Sequence, residues 1–438
     1  VILFVGDGMG PAQREAIQLA NVGPYERLAM DSLPYEGMSS TNSADPETFV
    51  TDSAAGATSM ASGVKTYNGA IGLDADKNVV PTILEQAKAS GKATGIVTTS
   101  QVTDATGAAF GAHVEDRDQQ TEIARQFIED TGVDVILGGG EDYWYPEGEP
   151  GAYPNDPEAE EESVSDQGDL VARAEELGYE YAADSGGLQG ASGPKLLGLF
   201  ANQTMFSAEP EGEGDSYDPN VPLPEMTAKA VDTLSQNEEG FFLVVEEEAT
   251  DEMGHSNNSG LTIESGRALD QTVADTRQFA EASGETLMIT TADHETGGLT
   301  IEELDSEEYP DENGGNEDDE NANLSTEDGP FDIANSDYQF IMDWTTTGHT
   351  GVDVPLTALG PGAENLTGNY ENTHIYEVMA DSLGVAGIDP AASGAQNDGL
   401  PKTGGPGSGL ASYPLFLTVL AGALGVGGLL LLLRKKLR

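Results

Sequence analysis

A chain of 438 residues can bury one large core, so its size permits an enzyme without arguing for one. Its 78 acidic and 18 basic residues leave a net charge of −60, and a field of that sign argues against nucleic acid or anionic lipid as a partner. There is no cysteine, which excludes disulfides and thiol chemistry, while recurrent apolar runs set the chain apart from a disordered polyanion. So acidic a surface on a folded body suits a halophilic setting, where carboxylates keep the surface hydrated.

The first apolar run, VILFV at 1–5, reads as a buried strand with Asp7 just beyond its C-terminal end. Asp52 and Ser53 then open a helical stretch of small residues, TDSAAGATSMASG. A helical pattern at 81–90 leads to a strand at 94–99, with Asp104 and Thr106 after it. A helix at 122–130, a strand at 133–139 and a helix at 225–236 follow. The strand FFLVVE at 241–246 ends in Glu246, and after a helix at 265–283 the strand LMITTAD at 287–293 ends in Asp293. This alternation predicts an α/β fold with a doubly wound, mostly parallel sheet flanked by helices, in one domain over 1–387. Ligands of such open sheets bind beyond the carboxyl ends of the strands, so Asp7, Asp104, Glu246 and Asp293 are expected to converge. Two stretches rich in Asp, Glu, Asn, Gly and Pro, 141–168 and 302–337, are expected as acidic surface insertions; neither has the spacing of an EF-hand calcium loop.

From residue 388 the composition turns to Gly, Ala, Pro and Ser, which reads as a linker over 388–399. Then come Leu400, Pro401, Lys402, Thr403 and Gly404, an apolar run at 415–433, and Arg434, Lys435, Lys436 and Arg438. The run is just long enough to cross a bilayer as a transmembrane segment, and the basic cluster would stay cytoplasmic. Together, 400–438 resembles the LPXTG sorting signal of wall-anchored proteins. That resemblance implies that a sortase cuts between Thr403 and Gly404 and joins Thr403 to the peptidoglycan of a Gram-positive cell wall. The protein is then expected to be secreted, its precursor transiently membrane-held, with an export signal upstream of Val1.

A serine at a helix start is most often only an N-cap, but a helix N-terminus also favours anions and would suit a phosphoserine intermediate. As a nucleophile it needs a base or a metal. Only five histidines occur, and three stand beside carboxylates or glycines: His255 in DEMGH with Asp251, His294 in ADHETGG with Asp293, and His349 in TTGHTG. Any one alone could be a surface histidine. Mixed His and Asp donors suit zinc, whereas Asp, Glu and Thr oxygens suit magnesium. His113, on an apolar stretch, reads as structural, and His374 as opening the last helix of the domain.

In their order, GDGMG (6–10), TDSAAGATSMASGVKT (51–66), TDATGAAFGAHVEDR (103–117), FFLVVEEEATDEMGH (241–255), TADHETGG (291–298) and GHTGVDVPLTALGPG (348–362) resemble the motifs of alkaline phosphatases through about 1–385. The resemblance implies hydrolysis of phosphate monoesters with two zinc ions and one magnesium ion as cofactors, Ser53 being the nucleophile. Asp251, His255 and His349 would hold one zinc, and Asp7, Ser53, Asp293 and His294 the other. Asp7, Thr106 and Glu246 would hold magnesium, with Asp104 ordering the waters behind it, and Arg117 would grip two phosphoryl oxygens. The implied role is phosphate scavenging outside the cell, and a homodimer is common in the family. One departure is Glu252, which stands where members often carry Lys, His or Trp; it leaves the third metal and phosphate affinity open. The adjacent Glu247 and Glu248 make the place of Glu246 depend on strand register. Phosphodiesterases and sulfatases share the same metal core and stay as alternatives. An inactive wall-displayed binding protein would show a lost ligand, and none is missing.

Overall fold

Successive residues of a strand point to opposite faces of its sheet, so a run that is apolar throughout has to be covered on both sides. The strand Ile2–Gly6 shows this in the computed structural model of the chain, which describes residues 1–155, 161–303 and 326–387. Leu3 and Val5 belong to one apolar cluster, with Ala54, Ala57 and Met60 of the helix Ser53–Ser62 and Ile375 and Met379 of the helix Thr373–Leu383. Ile2 and Phe4 belong to another, with Met226 and Ala230 of the helix Leu223–Leu234 and Leu269 and Val273 of the helix Ser259–Ser283. Helices therefore cover both faces of one sheet.

That sheet has ten strands, running from one edge to the other as Gly368–Glu371, Tyr35–Ser40, Val354–Leu359, Met288–Thr291, Ile2–Gly6, Phe241–Glu247, Ala93–Gln101, Val135–Gly139, Leu196–Leu199 and Glu180–Ala182. Val354–Leu359 alone runs antiparallel to its neighbours. All five strands expected from the sequence lie at its centre. The strands outside that set are the outlying ones and the antiparallel one, and they include Leu196–Leu199, a run of four buried residues.

The described parts of the two acidic stretches are rooted in the fold. Glu141, Asp142 and Trp144 are buried, with Trp144 fully enclosed in the core, because the segment packs beneath the sheet edge before its chain turns polar. The second stretch begins and ends in strands of a separate three-stranded sheet, Leu299–Glu303, Gln339–Trp344 and Thr326–Asp332. The linker, the Leu400–Gly404 motif and the apolar run at 415–433 lie outside the described residues. Among those described, no helix is long and apolar enough to cross a membrane.

Candidate active site

The strand Ile2–Gly6 delivers Asp7, fully buried, to the carboxyl edge of the sheet. The turn after it requires glycine. Gly8 has φ +64°, and a Cβ there would lie 2.5 Å from Asp251 Oδ1 and 2.7 Å from Thr296 Oγ1. Two strands away, the strand Ala93–Gln101 leads to Asp104 and to Thr106, whose hydroxyl donates to Asp7 Oδ2 at 3.1 Å.

Between them, the strand Phe241–Glu247 ends in Glu246 and Glu247, and Glu248 follows it directly; all three are buried. Alternation separates their roles. Glu246 Oε2 accepts from Thr98 Oγ1 at 2.6 Å on the side of Asp7, whereas Glu247 faces away and accepts from Thr99 Oγ1 at 2.9 Å and Tyr217 Oη at 2.6 Å. Burial pushes the Glu247 carboxyl up to about 8, and burial with Asp104 pushes Glu246 up to about 7. Glu248 returns to the side of Glu246, and its oxygens gather with those of Asp7 and Glu246 within 4.8 Å of one another. Sequence reasoning left Glu248 without a role, although period-two alternation places 246 and 248 on one face.

Asp251 and His255 share a face of the short helix Ala249–His255, four residues apart, and His255 Nε2 lies 3.2 Å from Asp251 Oδ2. His349 arrives on a two-residue strand paired with Thr296. Its Nε2 lies 3.6 Å from Asp251 Oδ1 and 3.0 Å from His255 Nε2. Fully buried His294 stacks on the His349 ring with centroids 3.6 Å apart, and its Nε2 lies 3.4 Å from Asp7, 3.2 Å from Asp293 and 3.2 Å from Ser53 Oγ. Thr296, also unassigned from sequence, bridges Asp251 Oδ1 and His294 Nδ1.

Protonation makes this cluster informative. His255 Nδ1 faces Thr347 O at 2.6 Å and His349 Nδ1 faces Thr51 O at 2.9 Å, so each Nδ1 carries the proton. Both Nε2 atoms therefore turn inward, 3.0 Å apart, where a shared cation would take the place of the proton that His255 otherwise holds there. Asp251 first raises His255 to about 9, while burial and His294 push His349 down to about 4. Four buried carboxylate oxygens at the same place, on Asp7, Asp293, Glu246 and Glu248, have no hydrogen-bond partner. Mixed donor groups form from Asp251, His294 and His349 and from Asp7, Asp293 and His294. This donor chemistry fits cations; the second group is made of expected ligands, whereas the first has His294 where the sequence expected His255.

Ser53 is the first residue of its helix and is 3% exposed. Asp52 caps that helix through Ala55 N at 2.9 Å, which leaves Ser53 Oγ free to face His294. Arg117 Nη2 donates to both oxygens of Asp104, at 3.1 and 3.3 Å, and Nη1 lies 3.7 Å from Asp52. Burial works against its charge, but Asp104, Asp52 and Glu248 outweigh burial and hold it cationic. Thus Asp7, Ser53, Asp104, Thr106, Arg117, Glu246, Asp251, His255, Asp293, His294 and His349 all meet in one place. His113 does not: it pairs with Glu85 at 2.9 Å in the helical layer, and His374 sits in the first turn of the helix Thr373–Leu383.

An open α/β sheet that gathers a helix-start serine, histidine–carboxylate donor groups and a fixed arginine at its strand ends defines a metal-assisted hydrolase of anionic esters. The alkaline phosphatase family model matches residues 1–385, and the chain belongs to that family. It is 32% identical to alkaline phosphatase 4 of Bacillus subtilis, over 85% of this chain and 86% of that one. It is 33% identical to the streptomycin-6-phosphate phosphatase of Streptomyces griseus, over 88% and 90%. Among solved structures it resembles the cold-active alkaline phosphatase of a Shewanella species, with TM-score 0.69 and 31% identity over 87% and 99%. The enzyme of the Antarctic bacterium TAB5 gives TM-score 0.67 and 29% identity over 87% and 97%. The chain is accordingly a phosphatase of phosphate monoesters.

Proposed function

We propose that hydrolysis proceeds through a phosphoserine on Ser53, with zinc at the two histidine–carboxylate groups and magnesium at the all-oxygen group, and that the enzyme scavenges phosphate at the cell surface. The observation that carries this reading is the pair of imidazole Nε2 atoms 3.0 Å apart, both turned inward by backbone carbonyls, beside a serine 3.2 Å from His294. A variant of the Antarctic enzyme has been solved with magnesium bound in a site called M3, which supports a magnesium position in this fold.

Bound cations would stabilise the attacking and leaving oxygens of an in-line displacement. The residues do the rest. The helix that starts at Ser53 aims backbone N–H groups towards the incoming phosphoryl charge. Asp104 holds Arg117 Nη2 and Asp52 lies near Nη1, so the guanidinium is fixed beside Ser53, where it would meet the equatorial oxygens. Three fully or nearly fully buried groups, Asp7, Asp293 and His294, form a floor that keeps bulk water from the back of the serine. Attachment to the wall through Thr403 is supported by the order of the Leu400–Gly404 motif, the apolar run and the basic cluster.

The test is turnover of a chromogenic phosphomonoester at alkaline pH in molar salt with zinc and magnesium. Ser53→Ala is expected to lower kcat at least ~10³-fold, and chelation to do the same until metal is restored. In a Gram-positive host the activity should stay with the wall fraction and pass to the medium in Thr403→Ala. A folded protein that cleaves a diester but not the monoester would overturn the mechanism.

A further inference from the structure

The acidic end of the site holds more carboxylate than three cations use. Glu248 is 3% exposed and its Oε2 has no hydrogen-bond partner. Its oxygens lie within 4.8 Å of those of Asp7 and Glu246 in one group, and of Asp251 and Glu252 in a second. Among the described residues no Lys or Arg pairs with Glu248 or Glu252. Arg117 instead sits on Asp104 and near Asp52. Buried carboxylates that converge without a cation are strongly destabilised, so this arrangement calls for positive charge. The donor type says which kind. The groups around His294 mix nitrogen and oxygen, whereas the Glu248–Asp251–Glu252 group offers oxygen alone, as hard divalent ions prefer.

We infer that Glu248, Asp251 and Glu252 form a further cation position, for a hard divalent ion such as calcium, manganese or magnesium, with Glu248 bridging it to the Asp7–Glu246 position. The inference rests on the phosphatase reading and extends it. Glu252 is half-buried, so the position opens towards solvent, whereas Glu248 is enclosed. Both carboxylates share a group with Asp251, one of the expected metal ligands of the site. Left bare, they would repel a dianionic substrate. An ion between them reverses the sign of that rim and makes phosphate binding depend on a hard cation as well as on zinc.

The experiment strips the protein with chelator and dialyses it against zinc together with excess magnesium, calcium or manganese. Bound ions are then counted by elemental analysis, and inorganic phosphate affinity is measured by calorimetry. Glu252→Gln is expected to hold one hard cation fewer than the wild type, with its zinc content unchanged, and to bind phosphate with an affinity that no longer responds to the hard cation. Glu248→Gln is expected to lose the same ion, and equal melting temperatures in chelator will show that both variants fold. Equal ion counts in wild type and Glu252→Gln, with zinc bound in both, overturn the further position alone. Absence of zinc from both overturns the site reading beneath it, and this position with it.

Discussion

Arg117 is held by Asp104 and Asp52, two carboxylates that leave its planar fork oriented before any substrate arrives. A lysine could keep the charge but could not offer a phosphate two parallel hydrogen bonds. Arg117→Lys is therefore expected to lower kcat/KM for a phosphomonoester by about 10²-fold, roughly 3 kcal/mol, with zinc content unchanged. Steady-state kinetics beside elemental analysis will check it, and an unaltered kcat/KM would remove the arginine from phosphate binding. At this scale the sequence was legible wherever a residue type is chemically unusual. Five histidines and their acidic neighbours could be picked out one by one. Glu248 escaped because EEE reads as a plain charge run, and only strand alternation separates Glu246 and Glu248 from Glu247.

Elements were legible where both faces of a strand are buried, as in VILFV or FFLVVE, and less so at the sheet-edge strands Glu180–Ala182 and Gly368–Glu371, where Ala182 alone is buried. The helix Ile83–Ala89 shows how local chemistry and packing combine. Thr82 and Glu85 form a reciprocal capping box, and Glu85 also meets His113, the two side chains being 10% and 5% exposed. His113 Nδ1 lies 2.8 Å from Gly72 O, so Nε2 can donate to Glu85 only when the ring is doubly protonated. Burial opposes both charges, yet each partner overrides it: His113 is raised above its usual value and Glu85 lowered. The histidine's contribution is thus complete below its unfolded pKa of about 6.5 and is lost as pH rises through the higher folded value. The glutamate's contribution is present above about 4.5 and lost as pH falls through its lower folded value. His113→Leu is expected to destabilise the metal-free protein by about 3 kcal/mol near pH 6 and by less at alkaline pH. Denaturant titrations at several pH values will test this; a difference that does not vary with pH would show packing alone.

The chain as a whole carries a net charge of −60, and because five of its 18 basic residues lie after position 400, residues 1–399 are more acidic still. Raising salt from 0.1 to 1 M shortens the screening length from about 10 to 3 Å and relieves that self-repulsion. Melting temperature is expected to climb by at least about 5 °C over this range, and the rate of capture of a dianionic ester to rise with it. A flat thermal profile would separate the acidic surface from any need for salt. Composition made this expectation legible, while the burial of Glu141 and Asp142 stayed hidden, because a charge run looks the same whether its first residues face water or the core. The shared donor groups carry one more consequence. Asp7 meets Asp293 and His294, and Asp251 meets His349, in a chain that has no cysteine. On the proposed reading each ion is a removable cross-link between segments far apart in sequence, and loops of that length, closed by a disulfide, are worth ~4–5 kcal/mol. The metal supply then governs how long the fold survives, in addition to how fast it turns over.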